Sequence, residues 1–115
     1  MNSIQKILNN LLEFRNARDW KQFHTPKNLA ISLSLEASEV LEHFQWKTDI
    51  EFKEYLKTHQ EDLADELADV FNYLLLLSNE LDIDLLKAAE RKLEKNKQKY
   101  PIEKAKGNHK KYTEL

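Results

Sequence analysis

The chain has 115 residues and a net charge of −2, with one glycine, two prolines and no cysteine. This length predicts one domain, the scarcity of glycine and proline favours long helices, and the lack of cysteine excludes disulfides and thiolate metal sites. No apolar run is long enough for a membrane span and the first residues lack a secretion-signal pattern, so we expect a cytoplasmic protein.

Apolar periodicity predicts the first two helices. We expect the first to begin after an N-cap at Ser3 and to end before a connector at residues 19–24 that carries two aromatic side chains. Thr25 and Pro26 suit the N-cap and first turn of the second helix, which we expect to run to about Phe44. Because apolar residues lie almost all round this helix, it is predicted to be buried on most sides.

The second half of the chain contains two further main helices. A capping-box pattern at residues 48–51 predicts a separate short helix over residues 49–58, followed by a third main helix over about 60–81. Asp84 is the expected N-cap of a fourth helix, which Pro101 ends. The predicted fold is therefore all-α and four-helix bundle-like, a single domain over the whole chain with a basic tail from about residue 101.

Two pairs of acidic residues indicate a metal site: Glu36 with Glu39 on the second helix, and Glu66 with Asp69 on the third. Residues three apart on a helix can both reach one ion. Leucine and valine flank both pairs, and ionised carboxylates in apolar surroundings need a positive partner. Carboxylate oxygens favour Mg²⁺, with Mn²⁺ possible in its place. The alternative is that these acids face solvent and pair with lysine or arginine.

Two other functions fit parts of this pattern. A di-iron oxidase uses Glu-x-x-His on two helices, but Glu39 and His43 are four residues apart, and no glutamate has a histidine three residues later. A non-catalytic helical interaction module would use the apolar second helix as its partner surface. Such a module would hydrolyse no triphosphate and would show no thermal shift with magnesium.

The fourth helix and two tryptophans suggest an anionic, planar ligand. Residues 87–111 contain ten lysines and arginines against three glutamates, and Lys92 and Asn96 share one side of the fourth helix, where they suit phosphate and sugar oxygens. Trp20 and Trp46 lie at element boundaries, where they either stack on a base or cap the core. The isoelectric point of about 6.1 argues against nucleic acid as a partner.

Short motifs occur in order along nearly the whole chain: Arg18-Asp19-Trp20-Lys21-Gln22-Phe23-His24, Pro26-x-Asn28-Leu29, Glu36-x-x-Glu39, Phe44-Gln45-Trp46, Asp65-Glu66-Leu67-Ala68-Asp69-Val70, Tyr73-Leu74, Lys92-x-x-x-Asn96-x-x-x-Tyr100-Pro101 and Lys110-Lys111-Tyr112-Thr113. Together they resemble the MazG-like nucleotide pyrophosphohydrolases, in particular the dCTP pyrophosphatase-like branch. One departure is Leu11, where animal relatives carry a histidine, so the contacts with the base could differ and a preference for cytosine stays open.

The resemblance implies a self-associating all-α protein, a homodimer or homotetramer. It implies Mg²⁺-dependent hydrolysis of a nucleoside triphosphate, a pyrimidine deoxynucleotide such as dCTP, to the monophosphate and pyrophosphate. The implied metal ligands are Glu36, Glu39, Glu66 and Asp69. The implied base and sugar contacts are Trp20, Trp46, Asp69 and Tyr73, and the implied phosphate and sugar contacts are Lys92 and Asn96. We expect Glu36 or Glu39 to accept the proton of the attacking water.

Overall fold

The structure is a computed structural model that describes residues 2–115. It contains four main helices and no strand within that range: α1 (Ser3–Ala17), α2 (Pro26–Glu42), α3 (Asp49–Glu80) and α4 (Leu85–Lys99). A short helix α5 (Ile102–Ala105) and 3-10 turns at Lys21–Phe23 and Tyr112–Glu114 complete the secondary structure. The predicted all-α class with four main helices is confirmed.

Side-chain caps explain where the main helices begin. Thr25 accepts a hydrogen bond from the Asn28 N–H with Pro26 in the first turn, and Asp84 caps α4 through the Lys87 N–H, both as predicted. The cap of α1 is Asn2 instead of Ser3, because its Oδ1 accepts from the Gln5 N–H at 2.7 Å. Each cap satisfies a backbone donor that has no partner within its helix.

The predicted break between a short helix and the third main helix is wrong, since α3 runs unbroken through 32 residues. Thr48 and Glu51 form the predicted capping box, but nothing ends the helix at residue 58. Residues 52–66 contain no glycine or proline, so no helix-breaking residue interrupts the backbone hydrogen bonds. The Thr58 hydroxyl bonds back to the Tyr55 carbonyl, which a continuous helix permits.

The chain divides into two compact units, up to Asp82 and from Ile83 onward. In the first unit, α2 packs along α3, and α1 also contacts α3. His43 meets Tyr55 near the connecting turn, while Glu36 interacts with Glu66 farther from it. Earlier residues of α2 thus contact later residues of α3, and this arrangement is an antiparallel helical hairpin. The buried core of this unit consists of Leu29, Leu63, Leu75 and Leu76.

The prediction that α2 is buried on most sides is wrong for a single chain. Leu29 is its only fully buried residue within the described range, whereas Ile31, Leu35 and Leu41 are between 51 and 66% exposed. One side of α2 packs on α3, and no element among the described residues of the first unit covers the opposite side. The helix also ends at Glu42, two residues earlier than expected, in the turn that leads to α3.

The second unit contains α4, which ends at Lys99, two residues before Pro101. The basic tail is partly helical, since α5 begins directly after this proline and Gly107 adopts a left-handed backbone conformation at φ 81°. Across residues 2–115, no helix has both the length and the apolar character needed to traverse a lipid bilayer.

Candidate metal and nucleotide site

Four carboxylates from α2 and α3 lie close enough to influence one another. Glu36 is half-buried, and this burial raises its pKa to about 7 from an ordinary value of 4.5, helped by a hydrogen bond and charge from Glu39 and by the charges of Asp69 and Glu66. Losing solvent and gaining negative neighbours both disfavour the ionised form. The predicted pairs therefore converge, with Glu39 and Asp69 on the exposed side.

Two buried oxygens in this carboxylate cluster lack hydrogen-bond partners among the described residues, namely Glu36 Oε2 and Glu66 Oε2. The Nε2 atom of His43 lies 2.6 Å from Glu66 Oε2, an ion-pair distance without hydrogen-bond geometry. A buried acceptor left without a donor is costly in a folded protein. One such oxygen from each helix indicates that a positively charged group belongs between them.

The donor set fits a hard divalent cation, although the described residues form no ready-made cage of three or more histidine or acidic ligands around one point. Mg²⁺ is commonly held by one or two carboxylates, with water and substrate phosphates completing its shell. The unpartnered oxygens of Glu36 and Glu66 meet that requirement. The assignment of all four carboxylates as ligands remains a prediction.

A cavity of about 460 Å³ lies between α1, the turn that follows it and α3. Its wall includes Asp69 and Tyr73, one turn apart on α3, and Trp20 beside them. Trp20 is fixed by an edge-on contact with the Phe14 ring, 5.6 Å between centroids. The cavity therefore contains three of the predicted base and sugar contacts, and it shares Asp69 with the carboxylate cluster.

Trp46 lies elsewhere in the first unit and does not line this cavity. It occupies the turn between α2 and α3, where its side chain is 91% exposed and its backbone has φ 68°. A bulky residue in the left-handed region is uncommon and carries strain. Its predicted role in stacking on a base remains a prediction.

Lys92 and Asn96 belong to α4 in the second unit, one turn apart as predicted. Lys92 is exposed and Asn96 is half-buried. Their predicted contacts with phosphate and sugar remain predictions.

Sequence patterns did not identify Arg15 as part of the cavity wall. Arg15 is only 5% exposed, and its guanidinium donates to Glu80 Oε1 at 2.8 Å. His24 lines the same cavity, and burial together with the nearby Arg15 charge lowers its pKa, an effect that Glu80 partly opposes. The sequence did contain a signal that could have identified Arg15. This arginine is four residues after Leu11 and therefore lies on the apolar stripe of α1, where a charged side chain requires a partner.

The helical fold and its clustered carboxylates agree with the comparison to protein families. The MazG-like family model matches residues 31–115, which include both acidic pairs. The chain belongs to the MazG-like family.

Three relatives of known description are similar to this chain. It is 41% identical to dCTP pyrophosphatase 1 of Homo sapiens and 40% identical to that of Rattus norvegicus, each over 105 residues that cover 90% of this chain and 62% of the relative. The chain thus spans about three fifths of the length of these relatives. A solved pyrophosphatase structure from Archaeoglobus fulgidus superimposes with a TM-score of 0.83 at 43% identity, covering 88% of this chain and 94% of that one.

Proposed function

We propose that this protein hydrolyses a nucleoside triphosphate to the monophosphate and pyrophosphate in a Mg²⁺-dependent reaction. The observation that carries the proposal is a pair of buried oxygens, Glu36 Oε2 and Glu66 Oε2, that accept no hydrogen bond among the described residues and lie within a group of four carboxylates. Mn²⁺ is the expected substitute, because it accepts the same oxygen ligands. The family model spans parts of both units, so we treat the whole chain as one functional domain.

The chemistry follows from the properties of these side chains. Bound Mg²⁺ would supply charge neutralisation for the phosphate oxygens and would lower the pKa of a coordinated water. Glu36 or Glu39 accepts the proton of the attacking water, since these carboxylates adjoin the proposed ion. The new phosphorus–oxygen bond forms as the bond to the leaving group breaks, and this yields the monophosphate and pyrophosphate. Hydrolysis in oxygen-18 water identifies which phosphorus is attacked.

The cavity beside the carboxylates is the proposed base and sugar site. Trp20 offers an aromatic surface for stacking, and Tyr73 and Asp69 offer oxygen atoms for hydrogen bonds. The relatives named as dCTP pyrophosphatases support a pyrimidine deoxynucleotide such as dCTP as substrate. The proposed contacts of Lys92 and Asn96 with phosphate and sugar, and that of Trp46 with the base, rest on the family resemblance.

We also propose that the chain self-associates as a homodimer or homotetramer. The support is the uncovered side of α2, where Ile31 and Leu35 border a shallow groove and Leu41 continues the apolar surface. Apolar side chains aligned in this way on a helix are typical of an interface. The cytoplasmic location expected from the sequence remains a prediction.

The decisive experiment is a pyrophosphate-release panel over all common ribo- and deoxyribonucleoside triphosphates, with and without Mg²⁺. We expect release only with the cation and preferentially from a pyrimidine deoxynucleotide, and near-total loss in Glu39→Gln. The matched control is Glu42→Gln on the same helix, which is exposed and outside the carboxylate cluster. Oxygen-18 recovered in the monophosphate indicates attack at the α-phosphorus, and label in pyrophosphate indicates the β-phosphorus. Hydrolysis of no triphosphate would instead support the interaction module.

A further inference from the structure

A chain of side-chain contacts leads from the turn between α2 and α3 to one carboxylate of the proposed site. His43 follows α2 and is one helical turn beyond Glu39, so it lies on the side of α2 that carries the acidic pair. Its side chain is only 10% exposed, and it contacts two groups on α3. The Nε2 atom lies 2.6 Å from Glu66 Oε2, and the Nδ1 atom lies 2.5 Å from the Tyr55 hydroxyl.

These contacts favour one position for the imidazole proton. An ionised carboxylate oxygen 2.6 Å from Nε2 favours a ring that is protonated on that nitrogen, because two lone pairs at this distance would repel, although the N–H is not aligned as a hydrogen bond. The Tyr55 hydroxyl can donate to Nδ1 when Nδ1 has no proton, which keeps the proton of a neutral ring on Nε2. Tyr55 therefore favours the form of His43 that faces Glu66.

The Tyr55 ring is held firmly enough to perform this task. His59 stacks on it with 3.9 Å between centroids and nearly parallel planes, and the Lys47 ammonium lies 4.2 Å from its centroid. The nearby turn is closed by Phe44 and Phe52, whose rings stack at 4.2 Å. An aromatic ring with both neighbours in place has few other positions available, so its hydroxyl stays directed at His43.

We propose that His43 and Tyr55 are a positioning pair that orients the Glu66 carboxylate toward a bound divalent cation. The inference rests on the proposed function only in taking Glu66 as a ligand of that cation. A carboxylate oxygen has two lone-pair directions, so Oε2 can face the histidine and remain available to an ion. Groups that fix a metal ligand from behind reduce the cost of ordering it on binding and thereby raise affinity.

The test measures Mn²⁺ affinity directly, by electron paramagnetic resonance of the free ion, in the full-length chain. We expect His43→Leu to raise the dissociation constant about tenfold or more, and Tyr55→Phe to raise it by a smaller factor. His43→Gln retains a side-chain N–H donor and should restore part of the affinity. The matched control is His109→Gln, which replaces an exposed histidine outside the first unit and leaves the Tyr55 ring and the proposed ligands unchanged.

Melting temperatures and circular dichroism of each variant separate loss of metal binding from loss of fold. If His43→Leu does not fold, Tyr55→Phe still decides the matter, because it removes one oxygen atom and keeps the ring. The inference is overturned if folded His43→Leu or Tyr55→Phe binds Mn²⁺ as tightly as the wild type, or if His109→Gln loses as much affinity as Tyr55→Phe. Wild-type protein that binds Mn²⁺ but releases no pyrophosphate would refute the proposed function alone.

Discussion

Replacing Glu36 by glutamine should change how the stability of the metal-free protein depends on pH. The pKa of Glu36 rises from 4.5 to about 7 on folding, through burial and through Glu39, Asp69 and Glu66. A raised folded-state pKa means that stability from this group is fully present below about pH 4.5 and is lost as the pH rises through about 7. The full effect corresponds to at most ~3 kcal/mol, and screening by adjoining solvent lowers our expectation to about 1–2 kcal/mol.

Urea denaturation in EDTA, at about pH 5 and about pH 8.5, measures this effect. Between these conditions the wild type should lose about 1–2 kcal/mol more of its free energy of unfolding than Glu36→Gln does, because other titrating groups are common to both proteins. The exposed control Glu42→Gln should behave as the wild type. Adding Mg²⁺ should restore the stability of the wild type at the higher pH, since a bound cation favours the ionised carboxylate.

Equal pH-dependent losses in wild type and Glu36→Gln would refute this reasoning, because folding would then not raise the pKa of Glu36 through burial and neighbouring charge. A loss in the control as large as the wild-type difference would point to α2 in general instead of the cluster. Neither result depends on catalytic activity, so the experiment tests the electrostatics of the site by themselves.

Three further predictions concern the fold and its surface. Arg15→Met breaks the buried pair with Glu80 and should lower the free energy of unfolding, measured in urea, by about 2–4 kcal/mol. The control Lys57→Met removes an exposed pair with Glu54 and should change this free energy by under ~1 kcal/mol. Thr48→Ala removes the cap of α3 and should cost about 1 kcal/mol by the same measurement. Leu35→Lys should shift sedimentation velocity toward the monomer, and an unchanged sedimentation coefficient would exclude this side of α2 as the interface.

Local patterns were sufficient for the starts of three main helices, and they failed most clearly at the predicted break within α3. The starts of α2 and α4 depend on the side chains of Thr25 and Asp84, each of which accepts from a backbone N–H three residues later. They could therefore be predicted from the local sequence. The capping box at Thr48 was equally readable. The length of α3 could not be predicted in the same way. Residues 55–60 are polar and aromatic, and such a stretch can either end a helix or continue it, depending on tertiary packing.

For the acidic pairs too, one part of the arrangement was predictable from the sequence and another part depends on tertiary packing. Their spacing of three residues placed Glu36 beside Glu39 and Glu66 beside Asp69 within each helix. Only the packing of α2 on α3 brings the pairs together and raises the pKa of Glu36. The apolar residues all round α2 predicted a helix that is buried on most sides, whereas the chain covers only the side that packs on α3, because composition does not specify which elements lie against a helix.

The caps at Thr25, Thr48 and Asp84 and the residues that share a helix face were predictable from the sequence, since these follow from interactions over three or four positions. Which distant residues meet was established only by the packing of the helices. Arg15 pairs with Glu80 across 65 positions, and Tyr55 contacts the His43 ring across a turn. Such pairings depend on how whole helix surfaces pack against each other, and this packing cannot be predicted from a pattern of a few neighbouring residues.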